Sequence, residues 1–95
     1  MNKKPPFILK QELEASEVKP NDIWKHYKGE YYLVKDLAID CNTNELIIIY
    51  TNFTRPELNG VLFTRTHSEW TDQVEPGVKR FTHSSMSYVE EKSFT

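Results

Sequence analysis

The run Leu46-Ile47-Ile48-Ile49-Tyr50 constrains this chain more than any other feature. Five successive residues that favour strands, with no polar alternation, describe a strand that is apolar on both faces. Such a strand has to be covered twice. Either the sheet that contains it curls back over itself, or one of its faces meets a partner. The chain is 95 residues long, room for one domain, so the cover must come from short neighbouring segments. Cross-linking offers no help. Cys41 is the single cysteine, which leaves no internal disulfide and fits a reducing, cytoplasmic setting.

The neighbouring segments read as strands. Tyr31-Tyr32-Leu33-Val34 and Leu37-Ala38-Ile39 lie on one stretch, and the turn cluster Asp40-Cys41-Asn42-Thr43-Asn44 joins it to Leu46–Tyr50 as a hairpin. Trp24 to Tyr27 forms a first strand, turned by Lys28-Gly29. Thr51 to Gly60 carries Arg55-Pro56 and Asn59-Gly60 and reads as a surface loop. Val61 to Arg65 is another short strand. The capping box Thr66-His67-Ser68-Glu69 predicts one helical turn carrying Trp70. Glu75-Pro76-Gly77 is a turn, and Val78 to Thr82 the last strand. No window sustains a 3.6-residue apolar period, which excludes an all-helical fold. The fold class predicted is all-β: a small SH3-like barrel, or a strongly bent five-stranded antiparallel sheet, with one short helical turn. This small β-barrel domain spans residues 20–83. Residues 1–19 are an extended or weakly helical arm, in which Leu9 to Glu17 has the length for a turn or two of helix. Residues 84–95, polar and carrying Glu90-Glu91, are a flexible tail.

The order of motifs resembles a short bacterial and phage family, domain of unknown function 1653. The likeness covers about residues 20–82. It rests on Trp24-Lys25-His26-Tyr27-Lys28-Gly29, Tyr32, Asn42-Thr43-Asn44-Glu45-Leu46 and a strand ending in Tyr50. Phe63-Thr64-Arg65, Glu69-Trp70 and Arg80-Phe81 follow in the family's order. Thr64, Thr66 and Trp70 depart from the valine, proline and phenylalanine usual there. The resemblance implies a fold and an ordering, and no activity.

His26 is the titratable residue of most interest. With Lys25, Lys28 and Arg65 it has the chemistry of an anion pocket: imidazole a switchable donor, guanidinium a two-pronged fork, and Lys28 a point charge beside Gly29. A plainer role for His26 is to bond a backbone group and fix the turn. If the strand alternates, Arg65 shares a face with Phe63, so it must be paired, with Glu69, Glu45 or Asp72, or line a polar cleft. Tyr32 and Tyr50 complete the candidate ligand-binding set. Aromatics are abundant, and in so small a domain Trp24, Phe63 and Phe81 serve as core.

Other chemistry finds no support. His26, His67, His83 and Cys41 share no metal-ligand spacing. Neither Cys41 nor Ser68 has the surroundings of a nucleophile, and three glycines cannot build a phosphate loop. No enzyme activity and no cofactor are expected. The net charge is −2, and residues 29–74 carry three cations against seven carboxylates, which argues against nucleic acid as a partner. No apolar run is long enough for a membrane helix, and the first residues lack the apolar core and small-residue cleavage site of a signal peptide, so secretion by that route is not expected. The leading expectation is a non-catalytic binding module whose cleft, lined by His26, Lys28 and Arg65, takes a small anionic or nucleotide-like ligand. The alternative is a protein-interaction module, a phage inhibitor of a host protein being one form of it. It would work through the apolar strand edge and loop 51–60, with a homodimer formed by the same strand.

Overall fold

The fold is that of a computed structural model, which describes residues 5–87. Five antiparallel strands form the main sheet: β1 (Asp22–His26), β2 (Tyr31–Ile39), β3 (Leu46–Asn52), β4 (Phe63–Thr66) and a last strand, Phe81–Ser87. Between the fourth and the last lie a two-stranded ribbon, β5 (Gln73–Glu75) and β6 (Val78–Lys79), so the last strand is β7. The order across the sheet is β4-β3-β2-β1-β7. Two α-helices, α1 (Pro6–Ala15) and α2 (His67–Trp70), and a short 3-10 helix, Pro56–Leu58, complete the described residues.

The sheet is strongly curled but open. In a flat sheet, four inter-strand spacings of about 4.8 Å would hold β4 and β7 about 19 Å apart. Instead the guanidinium carbon of Arg65 on β4 stands 5.4 Å from the ring centroid of Phe81 on β7. The two edges nevertheless do not pair among the described residues. The closed SH3-like barrel is therefore replaced by the bent five-stranded sheet. The space that a barrel would close by hydrogen bonds is filled by Trp70 of α2, which is fully buried and stacks on Phe81 at 3.8 Å.

Curling gives the apolar strand its cover. Ile48 and Tyr50 turn into a core with Val18, Trp24, Val34, Trp70 and Phe81, while Ile47 and Ile49 on the other face stay half-buried. A bulge between Val34 and Asp36 shifts the register of β2, so Leu37 pairs with Ile48 and packs against the core. Tyr32 faces the core, whereas Tyr31 faces away with the Lys25 ammonium 5.9 Å over its ring.

The turns follow local chemistry. The Asp40 carboxylate accepts the backbone N–H groups of Asn42 (2.8 Å) and Thr43 (3.2 Å), and Asn44 takes the left-handed conformation at φ 60°. Thr66 caps α2 by accepting the N–H of Glu69 at 3.2 Å. Three boundaries move from their expected places. Strand β4 starts at Phe63, which leaves Val61 and Leu62 exposed in the preceding loop. The expected strand Val78 to Thr82 splits at Arg80, whose N–H bonds the Asp72 carbonyl (3.0 Å) while its Nε donates to the Glu69 carbonyl (3.2 Å). Strand β7 then runs on through Ser87, so residues 84–87, expected in the flexible tail, belong to the sheet. The rest of that tail, 88–95, lies outside the described residues.

The N-terminal segment is helical from Pro6, where proline's missing N–H costs nothing in the first turn. It ends at Ser16, whose hydroxyl bonds both backbone groups of Val18 (3.1 and 3.0 Å) and directs that side chain into the core. The packed body thus begins before residue 20. No helix among the described residues is long and apolar enough to cross a membrane.

Candidate functional site

The β1–β2 turn sets the site. Gly29, at φ +106°, lets the chain reverse so that the N–H of His26 bonds the Glu30 carbonyl at 2.7 Å. His26 is 9% exposed, and its ring packs against Tyr27 (4.6 Å between centroids), Phe81 (5.0 Å) and Tyr32 (5.8 Å). Its Nδ1 accepts the Lys28 N–H at 3.2 Å, which is the turn-fixing role. That bond leaves the proton of the neutral ring on Nε2. Burial, and then the positive charges of Arg65, Lys28 and Arg80, hold the His26 pKa below its usual 6.5, with Glu30 opposing less strongly. Cations crowd this imidazole.

The candidate residues do not line one common recess. His26 lines an open recess of about 330 Å³ with Lys25, Tyr27 and Lys79 at the mouth of the β5–β6 ribbon, and no carboxylate lines it. Lys28 stands outside on the turn, its ammonium 5.8 Å over the Tyr27 ring. Arg65 shares the core face with Phe63, as alternation requires, and pairs loosely with Glu69 at 3.6 Å. Its Nε is buried and meets no acceptor. Tyr32 and Tyr50 line a separate recess of about 240 Å³ with Phe63 and Leu58.

That second recess carries a network that local sequence signals miss. The Asn52 amide donates to Glu30, and Arg55 bonds the same carboxylate through Nε (3.0 Å) and Nη2 (2.9 Å). Asn52 also accepts the N–H groups of Thr54 (2.8 Å) and Arg55 (2.9 Å). The Asn52 hydrogen bond, and then Arg55, keep the Glu30 pKa below 4.5. Burial, then the nearby Glu30 and Tyr50, raise that of Tyr32 above 10.0. Charge here cancels internally, whereas the charge around His26 does not. Lys79 and Arg80, also missed, enter because β7 pairs with β1 and carries the ribbon to His26. Among the described residues no three His, Cys, Asp or Glu side chains gather as metal ligands would.

The chain belongs to a family described as protein of unknown function, DUF1653, whose model matches residues 22–83. It is similar to the crystal structure of a DUF1653 protein from Bordetella bronchiseptica, with 29% identity and a TM-score of 0.53. That likeness covers 83% of this chain and 96% of the other. No curated protein matches it.

Proposed function

We propose that the curled sheet is an SH3-like scaffold for a non-catalytic binding module, and that its ligand is a small, nucleotide-like anion seated at His26. The supporting observation is the imbalance of charge around that ring. Lys25 and Lys79 line its recess, Arg65, Lys28 and Arg80 raise the local potential, and one carboxylate, Glu30, opposes them. A phosphate or carboxylate there would accept Nε2–H of His26 and charge-assisted bonds from the lysines. Tyr27, 47% exposed on the same recess, offers a face on which a base can stack. Arg65 acts from behind by its charge, and Tyr32 holds the imidazole in place with Tyr50 packed against it (5.1 Å).

Thermal shift against pyrophosphate, adenosine monophosphate and a cyclic nucleotide tests this reading. At least one should raise the melting point, by the several degrees that about 2.7 kcal/mol of linkage gives at a hundredfold excess over Kd. Lys79→Glu should abolish the shift. A panel without effect, or a shift that survives Lys79→Glu, contradicts the proposal.

A further inference from the structure

The chemistry of the His26 recess continues past its lining residues. Lys25 and Tyr27 both line it, and each is paired with a residue that stands outside. The Lys25 ammonium lies 5.9 Å over the ring of Tyr31, its partner across β1 and β2. The Lys28 ammonium lies 5.8 Å over the ring of Tyr27. Lys25, Tyr27 and Lys28 are exposed and Tyr31 is half-buried. Cation and ring thus follow one another across the β1–β2 turn, as phosphate and base do along a nucleic-acid strand. Both contacts are near the outer limit for an ammonium over an aromatic face. A ligand can therefore part them with little loss, its phosphates taking the ammonium groups and its bases the rings.

Carboxylates are kept from this surface or tied down beside it. Asp36, Asp40 and Glu45 belong to the far half of the β2–β3 hairpin, away from the Tyr31 end of β2. Glu30 is held by Asn52 and Arg55, and Asp22, on β1 itself, lies 3.4 Å from His83. Asp72 turns its carboxylate to the Gln73 N–H, and Glu75, opposite Val78 on the ribbon, does not line the recess. Lys25, Lys28 and Lys79 therefore prevail locally, although the chain as a whole carries a net charge of −2. The acidic balance of the sequence says nothing of this segregation, which the pairing of β7 with β1 creates.

We propose that this surface takes a single strand of RNA or DNA, of which the nucleotide read at His26 is one unit. The inference rests on that reading and extends it. One phosphate sits at His26 with Lys25 and Lys79, a neighbouring one meets Lys28, and bases stack on Tyr27 and Tyr31. A duplex keeps its bases stacked inside and offers the two rings nothing. An acidic peptide answers the lysines and leaves the tyrosines unused. A mononucleotide fills the recess without reaching Tyr31.

Fluorescence polarisation on the full chain tests the proposal with four labelled probes: a twelve-residue oligouridylate, a twelve-residue oligothymidylate, a twelve-base-pair duplex and a peptide of twelve glutamates. At least one single strand should bind ten or more times more tightly than duplex and peptide, and the better of the two names the sugar. Between about 50 and 200 mM salt its affinity should fall about eighteenfold, as three phosphate contacts on a single strand require, and Lys28→Gln should reduce the slope by about 0.7. Tyr31→Leu keeps an apolar side chain and removes the stacking face. It should weaken the strand at least fivefold and leave adenosine monophosphate binding unchanged. Lys79→Glu should abolish both. A strand that binds no better than duplex or peptide, or is indifferent to Tyr31→Leu, overturns the proposal, and adenosine monophosphate then decides the His26 reading by itself. A strand that meets every expectation while the mononucleotide fails to bind supports the proposal and overturns the free ligand. Failure of both probes overturns both.

Discussion

The ring of Trp70 lies flat on that of Phe81, centroids 3.8 Å apart and planes within 5°. One residue belongs to α2, beyond edge strand β4, and the other to the opposite edge strand. The stack therefore spans the opening that hydrogen bonds leave unclosed. Trp70→Ala should cost about 3–5 kcal/mol, the usual loss for a buried Trp or Phe truncated to Ala. That is a large share of the roughly 5–15 kcal/mol that holds a domain folded. Urea unfolding measures it, and Trp70→Phe should recover much of the loss.

The seat of Trp70 depends on the cap before it. Thr66 accepts the Glu69 N–H, and its hydroxyl also approaches the Glu69 carboxylate at 3.4 Å. Thr66→Ala should destabilise by about 1 kcal/mol, as cap deletions do, while Thr66→Ser should be nearly silent. Thermal melts of the two variants side by side read the difference.

His26 makes stability depend on pH. Its folded pKa lies below the unfolded value near 6.5, so the unfolded chain binds the proton first as pH falls. The contribution is complete above pH 6.5 and declines below it until the folded ring also protonates. Glu30, lowered from 4.5, adds a second decline that begins below that pH. Unfolding free energies between pH 8 and pH 5 should fall in wild type, and the slope near pH 6 should flatten in His26→Gln.

Asn52 is 8% exposed and ties the start of the 53–62 loop to Glu30. Asn52→Ala removes the acceptor of the Thr54 and Arg55 N–H groups and the donor to the Glu30 carboxylate, and should cost about 1.5–3 kcal/mol, the range for a hydrogen bond to a charged group. Amide hydrogen exchange should show the loss concentrated at residues 53–62. An even loss across the sheet would contradict the role given to this side chain.

Local features were legible from residues alone. The 40–44 turn, the Thr66 cap, the Gly77 turn and the shared face of Phe63 and Arg65 all follow from chemistry within a few positions. The rest depends on contacts between distant segments. Arg80 breaks the last strand because Asp72 and Glu69 capture it, and nothing in Val78-Lys79-Arg80-Phe81 announces that. Helix α1 buries no side chain, so no apolar stripe marks it, and Val18 reaches the core through a bond made by Ser16. The open edge has the same origin. A tryptophan can fill the gap of a barrel as well as a closing pair of strands can, and composition cannot tell them apart. His26 and Arg65 drew attention by type, whereas Lys79 joins the site through the pairing of β7 with β1.

If an anion binds beside His26, it stabilises the imidazolium, so the ring's pKa must rise in the complex and affinity must increase as pH falls. The imidazole proton resonances of His26, followed by NMR through a pH titration with and without saturating adenosine monophosphate, read this at the atom concerned. The account predicts a pKa raised by the nucleotide, saturable shifts at His26 and Lys79, and loss of both effects in Lys79→Glu. An unchanged His26 titration curve at saturating nucleotide would contradict it.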